Sequence, residues 1–533
     1  MDVFRVFDSL NYVDNLMLGM DAVHQAGGVV QGEVCYTGDV CNDEKGYKYN
    51  IDYYLKIADH LINQGETHVL GIKDMAGLLR PTAARKLVSA LRAEFPSTPI
   101  HVHTHDTAGT GVASMIAAVE AGADVVHGAV DSMSGTTSQP SLGALVASIY
   151  QTQQQAGTSG GESAPVPDLD RQGLLGIHDY WNTMRTHYAP FEQGVTSGST
   201  DVFDHEMPGG QYTNLMFQSQ SMGLASQWPA VKKAYAEANQ VMGDIVKVTP
   251  SSKVVGDLAQ FMVTNKLSGS DVVEKAGDLD MPVSVVEFLQ GQLGQPEGGF
   301  PEPLRSKVLA KAGLDAINER PGKNMAPFDF DSLGKEIREK WSFLAKDGIH
   351  IKEQDVLSAA LYPQVFEDFM KFRAKYGDIE NIPTNFFLSP AEPGEPIHVN
   401  IDHGKSLRIK LLQVSATLDE QGRREVWFDL NGVLRVARPK DNTDIPGKGG
   451  PAIRVNPQAD KSNPGHVGAP MPGTVIAIKK KEGDEVKMGE AVATLSAMKM
   501  ETVVSSGKAG KVKKIHTDEG ELLAAGDLIL EVE

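Results

Sequence analysis

The sequence predicts a multidomain chain: an α/β segment built as a partial barrel of parallel strands, a helical segment, a short strand-rich segment and a small all-β sandwich. Three observations carry this reading. Apolar β-rich runs alternate with amphipathic helical patterns through roughly the first 150 of 533 residues. Near residue 390 the hydrophobic period changes from helical to two. Beyond residue 467 one strand–turn–strand pattern occurs twice.

The β-rich runs are Asp2–Phe7, Val29–Thr37, Thr67–Asp74, Pro99–His105 and Ala123–Asp131. Helical patterns lie between them at Asn15–Gln25, Ile51–Asn63, Thr82–Ala93 and Gly111–Ala121. This rhythm is that of βα units feeding a parallel sheet. Polar and ionisable residues gather where each run ends: Asp8 and Asn11, Thr37 and Asp39, Lys73 and Asp74, His103 and His105, Asp131 to Ser134. That is the end at which a (β/α)8 barrel keeps its active site, although a closed barrel needs eight such units. Residues 152–167 read as a polar Gly/Ser/Pro-rich loop. Helical periodicity then dominates from Asp170 to about Tyr376. The runs Ile397–Asp402, Leu407–Val414 and Glu425–Asp429 read as antiparallel strands, and Lys440–Gly465 as a linker. In the last segment Gly473 matches Gly510, Val475 matches Val512, and Ile478 matches Ile515. Two copies imply a sandwich with a pseudo-twofold axis, with Ala497-Met498-Lys499-Met500-Glu501 at the hairpin that joins them.

Composition excludes several classes. Lys and Arg number 50 against 69 Asp and Glu, a net charge of −19. That disfavours nucleic acid or an anionic membrane surface as the main partner. Two cysteines, Cys35 and Cys41, make no disulfide framework. No 18-residue apolar run is present, and the first ten residues show no leader pattern.

Two features carry chemistry. Lys499 sits on a predicted hairpin tip, exposed to a modifying ligase, on a rigid scaffold behind a long linker. His101, His103 and His105 alternate along one strand and so share a face. Lys73 ends the preceding strand; a lysine in a barrel mouth is costly unless it is paired or modified. If it were carbamylated, it would join His103 and His105 as a third ligand of a divalent ion. The bland alternatives are a polar strand end with satisfied histidines, and a salt bridge from Lys73 to Asp8 or Asp74.

Ala-Met-Lys-Met-Glu at the repeat junction resembles a biotinyl, lipoyl-like carrier domain, and the two methionines favour biotin over lipoate. Across the chain, Asp-Val-Phe-Arg-Val-Phe-Asp-Ser-Leu-Asn (2–11), Ile-Lys-Asp-Met-Ala-Gly-Leu-Leu (72–79), His-Thr-His-Asp-Thr (103–107) and Asp-Ser-Met-Ser-Gly-Thr-Thr-Ser-Gln-Pro (131–140) resemble the pyruvate carboxylase family. So do Pro-Gly-Gly-Gln-Tyr-Thr-Asn-Leu (208–215), Lys-Val-Thr-Pro-Ser-Ser-Lys (247–253) and Gly-Gly-Phe-Pro-Glu-Pro (298–303). The resemblance implies a partial TIM-type carboxyltransferase barrel, strands 4–8, over residues 1–151 and its helical part over 170–385. It further implies part of the linking or tetramerisation domain over 386–439, a linker over 440–466 and the biotinyl carrier over 467–533.

It also implies roles. Biotin is attached to Lys499. Carbamylated Lys73, His103 and His105 hold Mn or Zn. Thr249 carries a proton between pyruvate and biotin, and Ser252 and Lys253 line the pocket for the biotin ring. A neutral hydroxyl suits that relay, since it can give one proton while taking another. Read without the family, Thr249 is a helix N-cap before Pro250, with Ser251 and Ser252 as rivals. The implied reaction moves a carboxyl group from carboxybiotin to pyruvate, giving oxaloacetate. The implied partners are biotin protein ligase, further copies of the chain in a tetramer, and acetyl-CoA as an activator. The implied compartment is the mitochondrial matrix in an animal and the cytoplasm in a bacterium.

The pattern departs from the family in three places. The first three barrel strands, with a metal-ligating aspartate, a glutamine that touches pyruvate and an arginine for its carboxylate, find no match. Nor does the ATP-dependent biotin carboxylase domain, so an incomplete enzyme is expected. His127 stands where an acid is expected. Two alternatives share the parts: an oxaloacetate decarboxylase α subunit or transcarboxylase chain, and an inactive piece serving only as biotin carrier. Against the first, Asp429-Leu430-Asn431-Gly432 and its strand-rich surroundings resemble the linking domain those relatives lack.

Overall fold

The computed structural model describes residues 1–149, 169–192, 194–221, 224–377, 379, 382–384, 388, 391–402, 404–419, 421–440, 456–460, 463–497 and 500–533. The chain divides into two compact units, residues 1–323 with 453–533, and residues 324–452.

The first unit opens with a parallel sheet in the order β1 (Val3–Val6), β2 (Val29–Cys35), β3 (Val69–Asp74), β4 (Ile100–Thr104), β5 (Val125–Val126). Helices α1 (Val13–Gln25), α2 (Ile51–Asp59), α3 (Pro81–Glu94) and α4 (Gly111–Glu120) connect the strands. Local chemistry sets their starts. Asn50 accepts a hydrogen bond from the Tyr53 amide to cap α2, and Pro81 opens α3 where no amide hydrogen is needed. The middle strands are apolar because both of their faces are covered. Val30, Val34, Leu70, Ile72, Ile100 and Val102 form one core with Leu16, Met20, Leu87 and Val88 of the helices.

Later helices build a second core. They are α5 (Gly209–Ser221), α6 (Trp228–Val241), α7 (Ser251–Asn265), α8 (Val283–Gln290) and α9 (Leu304–Ala312). Tyr235, Val255, Leu258, Phe261 and Phe288 are buried in it, with α7 packed against both α6 and α8.

The carrier segment forms two four-stranded sheets. Their orders are β10 (His466–Gly468), β17 (Leu528–Val532), β15 (Gly510–Ile515), β12 (Glu485–Val486), and β14 (Met500–Ser505), β13 (Ala491–Ala497), β11 (Gly473–Ile478), β16 (Leu522–Leu523). The two repeat copies place β11 and β15 in opposite sheets, as a pseudo-twofold requires. Val475, Val492, Leu495, Val504, Val512 and Leu530 fill the space between them. Thr502 of β14 bridges Pro282, just before α8, and the Ser505 amide reaches Asp280 Oδ2 at 3.5 Å.

The second unit holds α10 (Phe330–Lys340), α11 (Glu353–Leu361) and α12 (Pro363–Tyr376), with the sheet β6 (Pro396–Asp402), β7 (Lys405–Val414), β8 (Val426–Leu430), β9 (Val433–Ala437). The sequence grouped these three helices with the preceding ones. They bury a core of their own instead, made of Ile337, Trp341, Leu344, Val356, Phe366 and Met370. Strand β9 was not foreseen. Its five residues are all exposed, so no burial alternation marks them, but Asn431 and Gly432 both have positive φ and turn β8 into it. The 152–167 loop and residues 441–455 of the predicted linker lie outside the described residues.

Candidate active site at the strand ends

Asp74 closes β3 and is fully buried. Its two oxygens accept hydrogen bonds from the amides of Gly77, Leu78 and Leu79 and from the Thr104 hydroxyl, at 2.6–3.0 Å. The Ile-Lys-Asp-Met-Ala-Gly-Leu-Leu motif is therefore first a loop clamp. Asp74→Ala removes the acceptor for four donors in a dry site. It is expected to destabilise the protein by about 3 kcal/mol, measured by denaturant unfolding.

Lys73, next to the clamp on β3, is 9% exposed. Its Nζ lies 3.5 Å from Glu33 Oε2 and 4.4 Å from the centre of the Phe7 ring. The ion-pair partner is thus Glu33, on the neighbouring strand, and neither Asp8 nor Asp74. Glu33 is itself buried, receives Gln31 Nε2 at 2.8 Å on Oε1 and has Arg5 Nε at 3.7 Å.

The histidines stand beside this pair. Lys73 and His103 are register partners across β3 and β4, and the His103 and His105 rings lie 5.3 Å apart. Burial holds all of them neutral. It depresses His101 to about 3, His103 to about 2 and His127 to about 4, and lowers His105. The neighbouring positive groups, Arg5 and Lys73 among them, add to the depression of His103 and His127. The sign of the pH effect follows. The unfolded chain takes up protons near 6.5 while the folded chain does so only near 2–4, so stability is held above 6.5 and lost as the pH falls. Thermal melts at pH 7 and pH 5 are expected to show a clear drop, made smaller by His101→Gln.

The donor pattern fits a divalent ion in part. His105 Nδ1 donates to the Thr137 carbonyl at 2.7 Å, which leaves Nε2 as the lone-pair nitrogen, and in this structure it accepts from Gln139 Nε2 at 3.3 Å. His103 Nε2 is buried without a hydrogen-bond partner. Among the described residues no three His, Cys, Asp or Glu side chains gather closely enough to hold a metal. One contact works against the set. Arg5 donates to His127 Nε2 at 2.6 Å, so the bond of 2.9 Å between His127 Nδ1 and His103 Nδ1 takes its hydrogen from His127. That leaves the hydrogen of neutral His103 on Nε2. An acid at position 127 would accept from His103 Nδ1 and free Nε2, so the departure noted in the sequence has a local consequence.

Two later segments cover the same strand ends. Gly209 donates its amide to the Met75 carbonyl, and a Cβ there would stand 2.8 Å from His105 Nδ1 and 2.6 Å from the Thr137 oxygen. Only glycine fits so close an approach. Ser251 Oγ lies within hydrogen-bond distance of the carbonyl oxygens of Val246, Val248 and Ser9 and accepts from the Val248 amide, fastening the start of α7 to the loop after β1. Thr249 is exposed just before α7, and its hydroxyl has no hydrogen-bond partner among the described residues. No side chain caps α7, so Thr249, Ser251 and Ser252 are not N-caps. Ser252 is fully buried with an unpartnered hydroxyl, and the Lys253 side chain is 33% exposed.

Strands β13 and β14 pair antiparallel up to Ala497 and Met500. Lys499 itself lies outside the described residues.

Residues 202–410 match the family model described as a conserved carboxylase domain, residues 465–532 the biotin-requiring enzyme model, and residues 40–164 the HMGL-like model. Pyruvate carboxylase 1 of Caenorhabditis elegans is 50% identical over 100% of this chain and 43% of its own length. The mitochondrial pyruvate carboxylase of Homo sapiens is 49% identical, with the same shares covered. The carboxyl transferase domain from Rhizobium etli pyruvate carboxylase, solved with pyruvate and biocytin, is 42% identical. It aligns over 83% of this chain and 71% of that one with a TM-score of 0.74. The chain belongs to the pyruvate carboxylase family. It spans about two-fifths of the length of the curated pyruvate carboxylases it matches. A complete multifunctional pyruvate carboxylase from Rhizobium etli covers all of it at 39% identity, TM-score 0.73.

Within that family setting, three residues of the cleft escaped the reading of the sequence. Glu33 pairs with Lys73, Arg5 reaches His127, and Gln31 accepts from His101 Nδ1 at 2.9 Å. Glu33 and Lys73 lie on neighbouring strands, whereas Gln31 meets His101 across β3 and Arg5 of β1 meets His127 just beyond β5. Among the described residues no helix is long and apolar enough to cross a membrane.

Proposed function

We propose that this chain catalyses the carboxyltransferase half of pyruvate carboxylation, moving a carboxyl group carried by biotin on Lys499 to pyruvate to give oxaloacetate. The observation that carries this reading is the joining, in one chain, of the strand-end cluster of Lys73, His103 and His105 with a two-sheet carrier sandwich that bears the Ala-Met-Lys-Met-Glu motif. Thr249 Oγ1 takes a proton from the pyruvate methyl group and gives its own to the biotin nitrogen that loses the carboxyl group. Its exposed, unpartnered hydroxyl has both sides open for this exchange. A carboxylate in its place would trap the proton.

His103, His105 and a carbamate on Lys73 would hold a divalent ion, Mn or Zn. When bound, the ion supplies positive charge that favours negative oxygen. Glu33 and Phe7 position the Lys73 amine. Lys253 and Ser252 receive the biotin ring. The covering segments at Gly209 and Ser251 shield the strand ends from water, which would otherwise drain the carboxyl group as CO2.

Biotin protein ligase loads Lys499, the chain works in a tetramer, and acetyl-CoA activates the whole enzyme. The reaction takes place in the matrix of mitochondria in an animal source and in the cytoplasm of a bacterial one. Exchange of label between pyruvate and oxaloacetate needs no ATP and tests the reading. The biotinylated chain is expected to exchange label, and a folded, biotinylated, metal-supplied chain that does not would overturn it.

A further inference from the structure

Lys253 occupies the first turn of α7, where the helix dipole is positive and a lysine is out of place. Its Nζ is held at 2.5 Å by Asp257 Oδ2, one turn on. The order of the pair, lysine before acid, is the less stabilising one for a helix. Asp257 is fully buried, and burial raises its pKa, so placing a carboxylate there works against the fold. A second side chain fixes it. Ser284, in the first turn of α8, donates its hydroxyl to the same Oδ2 at 2.6 Å. Asp257 Oδ1 is buried without a hydrogen-bond partner. The arrangement fixes an ammonium group in the first turn of α7, on a side chain that is 33% exposed.

We propose that Asp257, braced by Ser284, is a positioning residue that fixes the Lys253 ammonium as the hydrogen-bond donor for the ureido carbonyl of biotin. This rests on the reading of Lys253 as part of the biotin pocket. The ureido oxygen becomes more negative as the ring loses its carboxyl group and before the nitrogen is protonated. A charged donor set in advance stabilises that state, whereas a mobile lysine must be ordered at that moment. The brace also sits beside the carrier contact, because Ser284 is two residues beyond Pro282, which Thr502 of β14 bridges.

The test uses the full chain and biocytin as the probe, with affinity read by calorimetry, thermal melts as the check of folding, and wild-type exchange activity measured alongside. Asp257→Asn is expected to weaken biocytin binding about tenfold, the loss of one charge-assisted hydrogen bond. Ser284→Ala, which leaves the ion pair in place, is expected to weaken it less. In a Lys253→Met background Asp257→Asn is expected to add nothing, since it acts only through that lysine. A purely structural role would shift melting without this dependence. Unchanged biocytin affinity in folded Asp257→Asn, or losses that multiply with those of Lys253→Met, overturns the proposal. If wild type exchanges label while these results fail, the positioning role falls and the carboxyltransferase reading stands. A wild type that neither binds biocytin nor exchanges label sinks both.

Discussion

Thr249→Ala is expected to remove label exchange between pyruvate and oxaloacetate by about a hundredfold or more, while leaving the thermal melt unchanged. The two halves of that expectation come from different observations. The hydroxyl makes no hydrogen bond among the described residues and the residue is exposed, so its loss opens no cavity and strands no donor. The start of α7 is tied down by Ser251, which contacts three carbonyl oxygens, so the local backbone does not depend on Thr249. Thr249→Ser keeps the hydroxyl and is expected to retain most of the activity. If Thr249→Ala instead melts early and Thr249→Ser does not rescue, the residue serves the fold and the proton relay is wrong.

Lys499→Arg is expected to abolish the mass gain produced by biotin protein ligase, and with it all transfer by the tethered cofactor. Arginine keeps the positive charge, but its guanidinium stays protonated and is not a nucleophile toward an activated acyl group. The carrier sandwich buries its core without this residue, through Val475, Val492, Leu495 and Val512, so the variant is expected to fold. Free biotin supplied in solution then distinguishes two steps. Exchange that returns at high free biotin places the defect in the tether alone. Mass gain on Lys499→Arg would move the attachment point to another lysine.

The legible parts of the fold were those written in local periodicity. Runs of apolar residues gave β2 to β4 within a few residues because buried parallel strands are apolar on both faces. The paired glycines 473 and 510 gave the sandwich, since each copy needs the same tight entry into a strand. What stayed hidden was set across strands. The Lys73–Glu33 pair depends on the β2–β3 register, in which Cys35 stands opposite Lys73, and nothing near either residue announces it. The same holds for His127, which sequence marked only as an oddity. The sheet turns it toward both His103 and Arg5, where it decides which nitrogen of His103 carries hydrogen. Thr249 was readable as a cap from local rules, but the structure leaves the helix uncapped.

The central claim is that these strand ends, with Thr249 as the proton relay, form a working carboxyltransferase site. Decarboxylation of oxaloacetate tests it most directly, because it runs the transfer backwards and needs neither ATP nor a charged carrier. With a divalent metal and biotin present, the purified chain is expected to produce pyruvate at a rate that rises with biotin and disappears in Thr249→Ala. Pyruvate formation that is indifferent to biotin and survives Thr249→Ala, or its absence from folded, biotinylated protein, would contradict the account.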